Sequence, residues 1–96
     1  MLFRSAAYAV SKAGLNQFTK WLATSLAPHI RVNAMILGGV QRNQPMEFIT
    51  KYVDKTPLGR MANPLDFQGA LAFLVSDLSL YVTGHLLVVD GGFTTI

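Results

Sequence analysis

Two short apolar runs constrain this chain more than any other feature: residues 30–36 (IRVNAMI) and residues 86–89 (LLVV). Each is short and rich in apolar and β-branched residues, and each is closed by glycine, so each reads as a buried strand. The first is closed by Gly38 and Gly39, the second by Asp90, Gly91 and Gly92. A helical pattern lies between them, and strands joined through a helix run parallel by a right-handed crossover. Parallel sheets need helices on both faces, and two strands are too few for an independent sheet. The predicted class is therefore α/β, in the order helix-strand-helix-strand, at the edge of a larger doubly wound parallel sheet.

The helices are equally legible. Over residues 7–27, Tyr8, Lys12, Leu15, Thr19, Leu22 and Leu26 share one face of a 100° wheel, and Phe18 and Trp21 widen the apolar stripe. Pro28 stops the helix. A second helix is predicted from Asn63 as N-cap, with Pro64 at its first position and Asp66 as the capping-box acid. Its buried face comprises Phe67, Ala70, Leu71, Leu74 and Val75. Residues 41–60 are more polar and read as a mobile connection or lid, with a short helix at residues 46–53.

Composition removes several function classes. Apolar residues make up 51% of the 96 positions, more than a chain this short can hide alone, since small domains bury only about 60% of their surface. Part of that surface is expected to meet a partner. No apolar run approaches the roughly 20 residues of a membrane span, and the opening residues 1–7 do not read as a signal peptide. Without cysteine there is no disulfide, thiolate nucleophile or Cys-based zinc site, which fits a cytoplasmic location. The net charge of +3 is scattered from Arg4 to Arg60, without the clustered patch of a nucleic-acid binder. His29 and His85 have no ligand at metal-binding spacing. Ser11 and Ser25 have no histidine placed for a triad. Asp90 reads as the end of a strand.

Tyr8 and Lys12 stand four apart on the first helix, so their side chains leave the same face about 5–6 Å apart at Cβ. An ammonium beside a phenol favours the phenolate and makes the hydroxyl a workable proton donor or acceptor. By spacing alone, the pair reads first as a surface tyrosine with a solvated lysine.

The surrounding residues add a resemblance. Residues 5–15 (SAAYAVSKAGL) closely resemble the active-site helix of the short-chain dehydrogenase/reductase family. Further segments follow in family order: residues 30–34 (IRVNA), 38–40 (GGV), 56–60 (TPLGR), 80–84 (LYVTG) and 88–92 (VVDGG). The resemblance implies that residues 1–96 are a single partial domain, the C-terminal portion of an NAD(P)-binding Rossmann-like fold. It implies hydride transfer between a nicotinamide and a small carbonyl or alcohol substrate, with NAD or NADP as cofactor. Tyr8 would be the general acid/base. Lys12 would bind the nicotinamide ribose and favour the Tyr8 phenolate. Gly38, Gly39 and Val40 match the loop whose backbone meets the nicotinamide amide. Residues 39–45 (GVQRNQP) resemble a subgroup associated with bacterial surface-sugar biosynthesis.

Departures from the family pattern are plain. Leu37 stands where the family carries proline, and Arg42 where it carries a cofactor-contacting threonine, so Arg42 is either an anion ligand or a solvated lid residue. The glycine-rich turn that seats a pyrophosphate is not in these residues, nor are the family's catalytic serine and structural asparagine. The expectation is a truncated oxidoreductase, inactive alone. The alternative is a non-catalytic interaction module that self-associates or docks onto a full-length relative through its wide apolar stripe.

Overall fold

The computed structural model describes residues 6–95. Helix α1 spans Ala6–Leu26, strand β1 Ala34–Leu37, helix α2 Met46–Lys55, helix α3 Gln68–Val75 and strand β2 Leu86–Val89. Short 3-10 turns at Pro64–Phe67, Asp77–Ser79 and Phe93–Thr95 complete the path.

The two strands pair in parallel, in the register Ala34 with Leu86 through Leu37 with Val89. The ladder extends by one bond at each end: Ala34 N–H donates to the His85 carbonyl, and Gly38 N–H to the Val89 carbonyl, both at 2.9 Å. Observed β1 starts four residues later than the apolar run that predicts it. Residues 30–33 have found other partners: Val32 N–H donates to Thr83 Oγ1 at 3.0 Å, and the Val32 carbonyl accepts from Gly84 N–H at 2.7 Å. Asn33 spans the same seam with both ends of its amide, donating to the Val82 carbonyl and accepting from His85 N–H. A β-branched run thus becomes a side-chain-bonded approach to the strand instead of strand proper.

Helix α1 closes as Pro28 predicts, with His29 and Ile30 N–H groups both donating to the Leu26 carbonyl. Its second half is the packed half. Thr19 and Ala23 are buried, and a Cβ built on Gly84 would lie 3.5 Å from the Ala23 methyl. The helix therefore rests on the turn that leads into β2. Ahead of α3, the predicted capping box forms. Asn63 Oδ1 accepts from Leu65 N–H at 2.9 Å, and Asp66 Oδ2 accepts from Asn63 N–H at 2.8 Å. The first turn it caps is a 3-10 turn, and the α-helix proper follows.

Packing is thinner than the pattern predicts. Only Leu74 of the expected α3 face is buried, while Leu71 and Val75 are exposed. The strand predicted to be wholly buried is half-buried, with Val88 47% exposed. The apolar core among the described residues is Ala23, Met61 and Leu74. The radius of gyration of 15.5 Å exceeds the roughly 12–13 Å of a compact domain this long. The elements expected of a two-faced sheet are present, and the layers that would cover their outer faces are not among these residues.

Arg31 supplies the firmest long-range polar tie. Its Nη1 donates to Ser79 Oγ at 3.1 Å and the Val82 carbonyl at 3.2 Å; its Nη2 donates to the Leu74 and Ser76 carbonyls at 3.2 and 3.3 Å. These carbonyls belong to the end of α3 and the turn after it, which have lost their helical donors. Ser79, only 1% exposed, also donates to the Leu74 carbonyl. One guanidinium thereby fastens the approach to β1 onto the end of α3. Replacing Arg31 with Ala is expected to cost about 2 kcal/mol, the scale of hydrogen bonds to a charged donor. Urea unfolding followed by far-UV circular dichroism checks it, and an unchanged midpoint would show that water serves those carbonyls equally well.

Candidate active site

The carboxyl ends of β1 and β2 meet, and ligands of open parallel sheets bind at such ends. Here glycine is required for close approach of the chain to itself. A Cβ on Gly38 would fall 2.8 Å from the Asp90 Cα, and one on Gly39 would fall 2.9 Å from the ring of Tyr52. The following residues are pinned from the side. Val40 bridges to Ala62, with Gln41 N–H donating to the Ala62 carbonyl at 2.8 Å and Ala62 N–H to the Gly39 carbonyl at 2.9 Å. Gln44 folds back over this loop, its Nε2 donating to the Val40 carbonyl at 2.9 Å and its Oε1 accepting from Arg42 N–H at 2.7 Å.

Asp90 ends β2 and starts the last turn. Its carboxylate accepts from the Thr94 hydroxyl at 2.8 Å, Thr94 N–H at 3.0 Å and Gly92 N–H at 2.9 Å. The Thr94 hydroxyl, with these backbone donors, holds it below the ordinary carboxylate range. The turn so formed carries Phe93 onto the face of Tyr52, ring centroids 4.6 Å apart and nearly parallel. Tyr52 in turn accepts Gly39 N–H on its hydroxyl at 2.6 Å.

A cavity of about 190 Å³ lies here, lined by Gly38, Gly39, Tyr52, Arg60, Asp66 and Asp90 among others. That is smaller than the roughly 300–1,000 Å³ of a drug-sized ligand site, and suits one ring or one polar group. Of its charged residues, Arg60 and Asp66 are already spent on each other through two hydrogen bonds of 2.7 Å. The Arg60 bond, with Asn63 N–H, holds Asp66 down to about 2, and the same pair raises Arg60.

Tyr8 and Lys12 lie one turn apart in the first half of α1, both exposed, Tyr8 at 45%. Ser5, the start of the motif around them, lies outside the described residues, as do Met1 to Arg4. Gly38, Gly39 and Val40 form the loop just described. Arg42 is exposed in the turn closed by Gln44. Sequence reasoning missed Tyr52, Phe93 and Gln44. Only the spacing of Phe48 and Tyr52, four apart on α2 and stacked at 6.2 Å, hinted at an aromatic face. Among the described residues no helix is long and apolar enough to cross a membrane.

A family model described as enoyl-(acyl carrier protein) reductase matches residues 2–94. The chain is 40% identical over 91 residues to the uncharacterized oxidoreductase YmfI of Bacillus subtilis (strain 168), covering 90% of this chain and 38% of that protein. It is 43% identical over 90 residues to the post-translational flagellin modification protein A of Campylobacter coli, covering 93% and 35%. A crystal structure of a short chain dehydrogenase from Leptospira borgpetersenii serovar Hardjo-bovis (strain JB197) with bound NAD+ superposes with a TM-score of 0.89 at 54% identity, covering 93% and 35%. The chain belongs to the short-chain dehydrogenase/reductase family of oxidoreductases. It spans little more than a third of the length of these relatives.

The Arg60–Asp66 pair generates a pH prediction. Asp66 is held at about 2, below its ordinary 3.8. The stability it contributes is therefore complete above pH 3.8 and is lost as pH falls through about 2. Asp66→Asn is expected to melt below the parent at neutral pH, with the gap closing between these two values. Thermal melts across that window check it, and a gap that persists at the acid end would contradict the assignment.

Proposed function

We propose that this chain provides the acid/base group and the nicotinamide-facing loop of an NAD(P)-dependent oxidoreductase that interconverts a small carbonyl and its alcohol. On this reading residues 1–96 act as the C-terminal portion of a Rossmann-like domain. The observation that carries it is the glycine-lined approach of Gly38 and Gly39 at the carboxyl ends of the strands, with α1 resting on the turn into β2 through Ala23 and Gly84. From Ala23, which packs at Gly84, back to Tyr8 is fifteen residues of helix, about 22 Å. From Gly84 forward to Asp90 is six residues of strand and turn, about 20 Å. These similar lengths support a reading in which α1 runs back along the strand direction and sets Tyr8 level with the 38–40 loop.

The loop's donor set fits a nicotinamide. Gly39 N–H already holds a phenolic oxygen, and the glycine face already receives a flat ring, the shape and polarity that an aromatic carboxamide presents. When bound, that cofactor supplies the hydride chemistry. The chain's own residues move the proton and hold the reactants. Tyr8 Oη donates its proton to the carbonyl oxygen in reduction, or takes the hydroxyl proton in oxidation. Lys12 Nζ offers its donors to ribose hydroxyls. Gly38, Gly39 and Val40 orient the ring through their backbone. A sugar-linked substrate is supported by the resemblance of residues 39–45 to the surface-sugar subgroup.

The glycine-rich turn for the pyrophosphate is not in this sequence, so NADH is expected to give no saturable micromolar binding to the 96-residue chain in a fluorescence titration. Micromolar affinity would contradict that. Joined to the nucleotide-binding half of the Leptospira borgpetersenii relative, the chain is expected to support turnover. Tyr8→Phe should then lower kcat by about 10²–10⁴-fold, and full activity in that variant would remove Tyr8 from the chemistry.

One observation favours a second reading, an association module. Phe18 and Trp21 stack at 5.8 Å yet stand 50% and 60% exposed, an aromatic pair suited to a second copy or a full-length relative. Sedimentation separates the two: a monodisperse dimer supports association, and a monomer at all concentrations removes it.

A further inference from the structure

We infer that Tyr52 is a displaceable latch, which holds α2 over the 38–40 loop by occupying the backbone donor a nicotinamide carboxamide would take. The inference rests on the proposed function. Three contacts converge on this side chain: its hydroxyl accepts Gly39 N–H at 2.6 Å, its ring fills the space denied to a Gly39 Cβ, and its outer face stacks on Phe93. The body of the helix has little else, while its C-cap, Thr56, is buried against the Gly91–Gly92 turn. No residue of α2 is buried, and its Glu47–Lys51 ion pair is exposed at both ends. Pro45 precedes the helix and Pro57 follows it closely, so the segment is bounded by residues with restricted backbone. A helix anchored at its C-cap and latched along its body by one aromatic residue swings about that end when the residue is released.

The competition is chemical as well as spatial. A phenolic oxygen and a carboxamide oxygen are both acceptors, and one N–H in one position serves one of them well. An aromatic carboxamide that reaches Gly39 must therefore displace the Tyr52 hydroxyl and its ring together. Its apparent affinity is lowered by the fraction of molecules in which the latch is closed. Tyr52 acts here as a positioning residue through Gly39.

The test uses the isotope-labelled 96-residue chain, with NADH raised into the millimolar range and binding read from the backbone amide signals of residues 38–40. Tyr52→Phe keeps the ring and removes the acceptor. It is expected to bind NADH about fivefold more tightly than the parent, the scale of one net hydrogen bond. In the parent, the Tyr52 ring signals are expected to leave their Phe93-stacked position on saturation. Phe93→Leu loosens the stack without touching the hydroxyl and should shift affinity in the same direction. Equal or weaker binding by both variants, with the Tyr52–Phe93 contact intact in saturated parent, would overturn the latch while leaving the nicotinamide reading in place. No change at residues 38–40 in any of the three proteins would overturn that reading and the latch with it.

Discussion

The parallel pairing of Ala34–Leu37 with Leu86–Val89 is the constraint from which the rest of this structure follows. Two parallel strands cannot be joined by a tight turn, so the chain between them must cross over and return. The crossover delivers α2, the capped start of α3 and the Arg31-bonded turn to fixed places around the pair. It also sets both carboxyl ends at one edge, where Gly38 and Asp90 approach so closely that a Cβ on Gly38 would clash with the Asp90 backbone. The site region is thus a consequence of strand direction before any side chain is considered.

Electrostatics then sorts the groups at that edge. Arg60 and Asp66 neutralise each other, and Asp90 is committed to Thr94 and the last turn. What remains is mainly backbone and aromatic surface, which distinguishes ligands by shape and by amide geometry. On the proposed function, the proton-transfer group comes from outside this edge, from Tyr8 beside Lys12 in the exposed first turns of α1.

The sequence made the local features legible and left the distant ones unread. Pro28, Asn63, Pro64 and Asp66 act over three or four residues, and their roles as helix stop and cap emerged as their chemistry dictates. The two apolar runs identified the strand pair through their β-branched and apolar content and the glycines that close them, although the pair is only half-buried here. The start of β1 shifted because Val32 and Asn33 bond to residues about 50 positions away, which no periodicity can report. Tyr52 and Phe93 were missed for the same reason: they matter because Tyr52 meets Gly39 and Phe93 stacks on Tyr52 across the fold, and an isolated aromatic looks alike wherever it sits. Gln44 folds back locally onto Val40, a contact with no periodic signal. Arg31 is the clearest case: a single basic residue before a strand gives no hint that it closes the end of a helix.

The exposed apolar surface follows from the same logic. A sheet built for two covered faces, a helix with a stripe wide enough for contacts on two sides, and an α3 face of which only Leu74 is buried all describe elements shaped for more neighbours than these residues contain. Covering Phe18, Trp21 and Val88 would remove apolar area from water at about 25 cal/mol per Å², a driving force that favours any complementary layer over solvent. The polar interactions are already nearly self-contained: among the described residues no buried side-chain nitrogen or oxygen lacks a partner. Further association is therefore driven by apolar burial and guided by shape, while the hydrogen-bonded frame around the strand ends stays as it is.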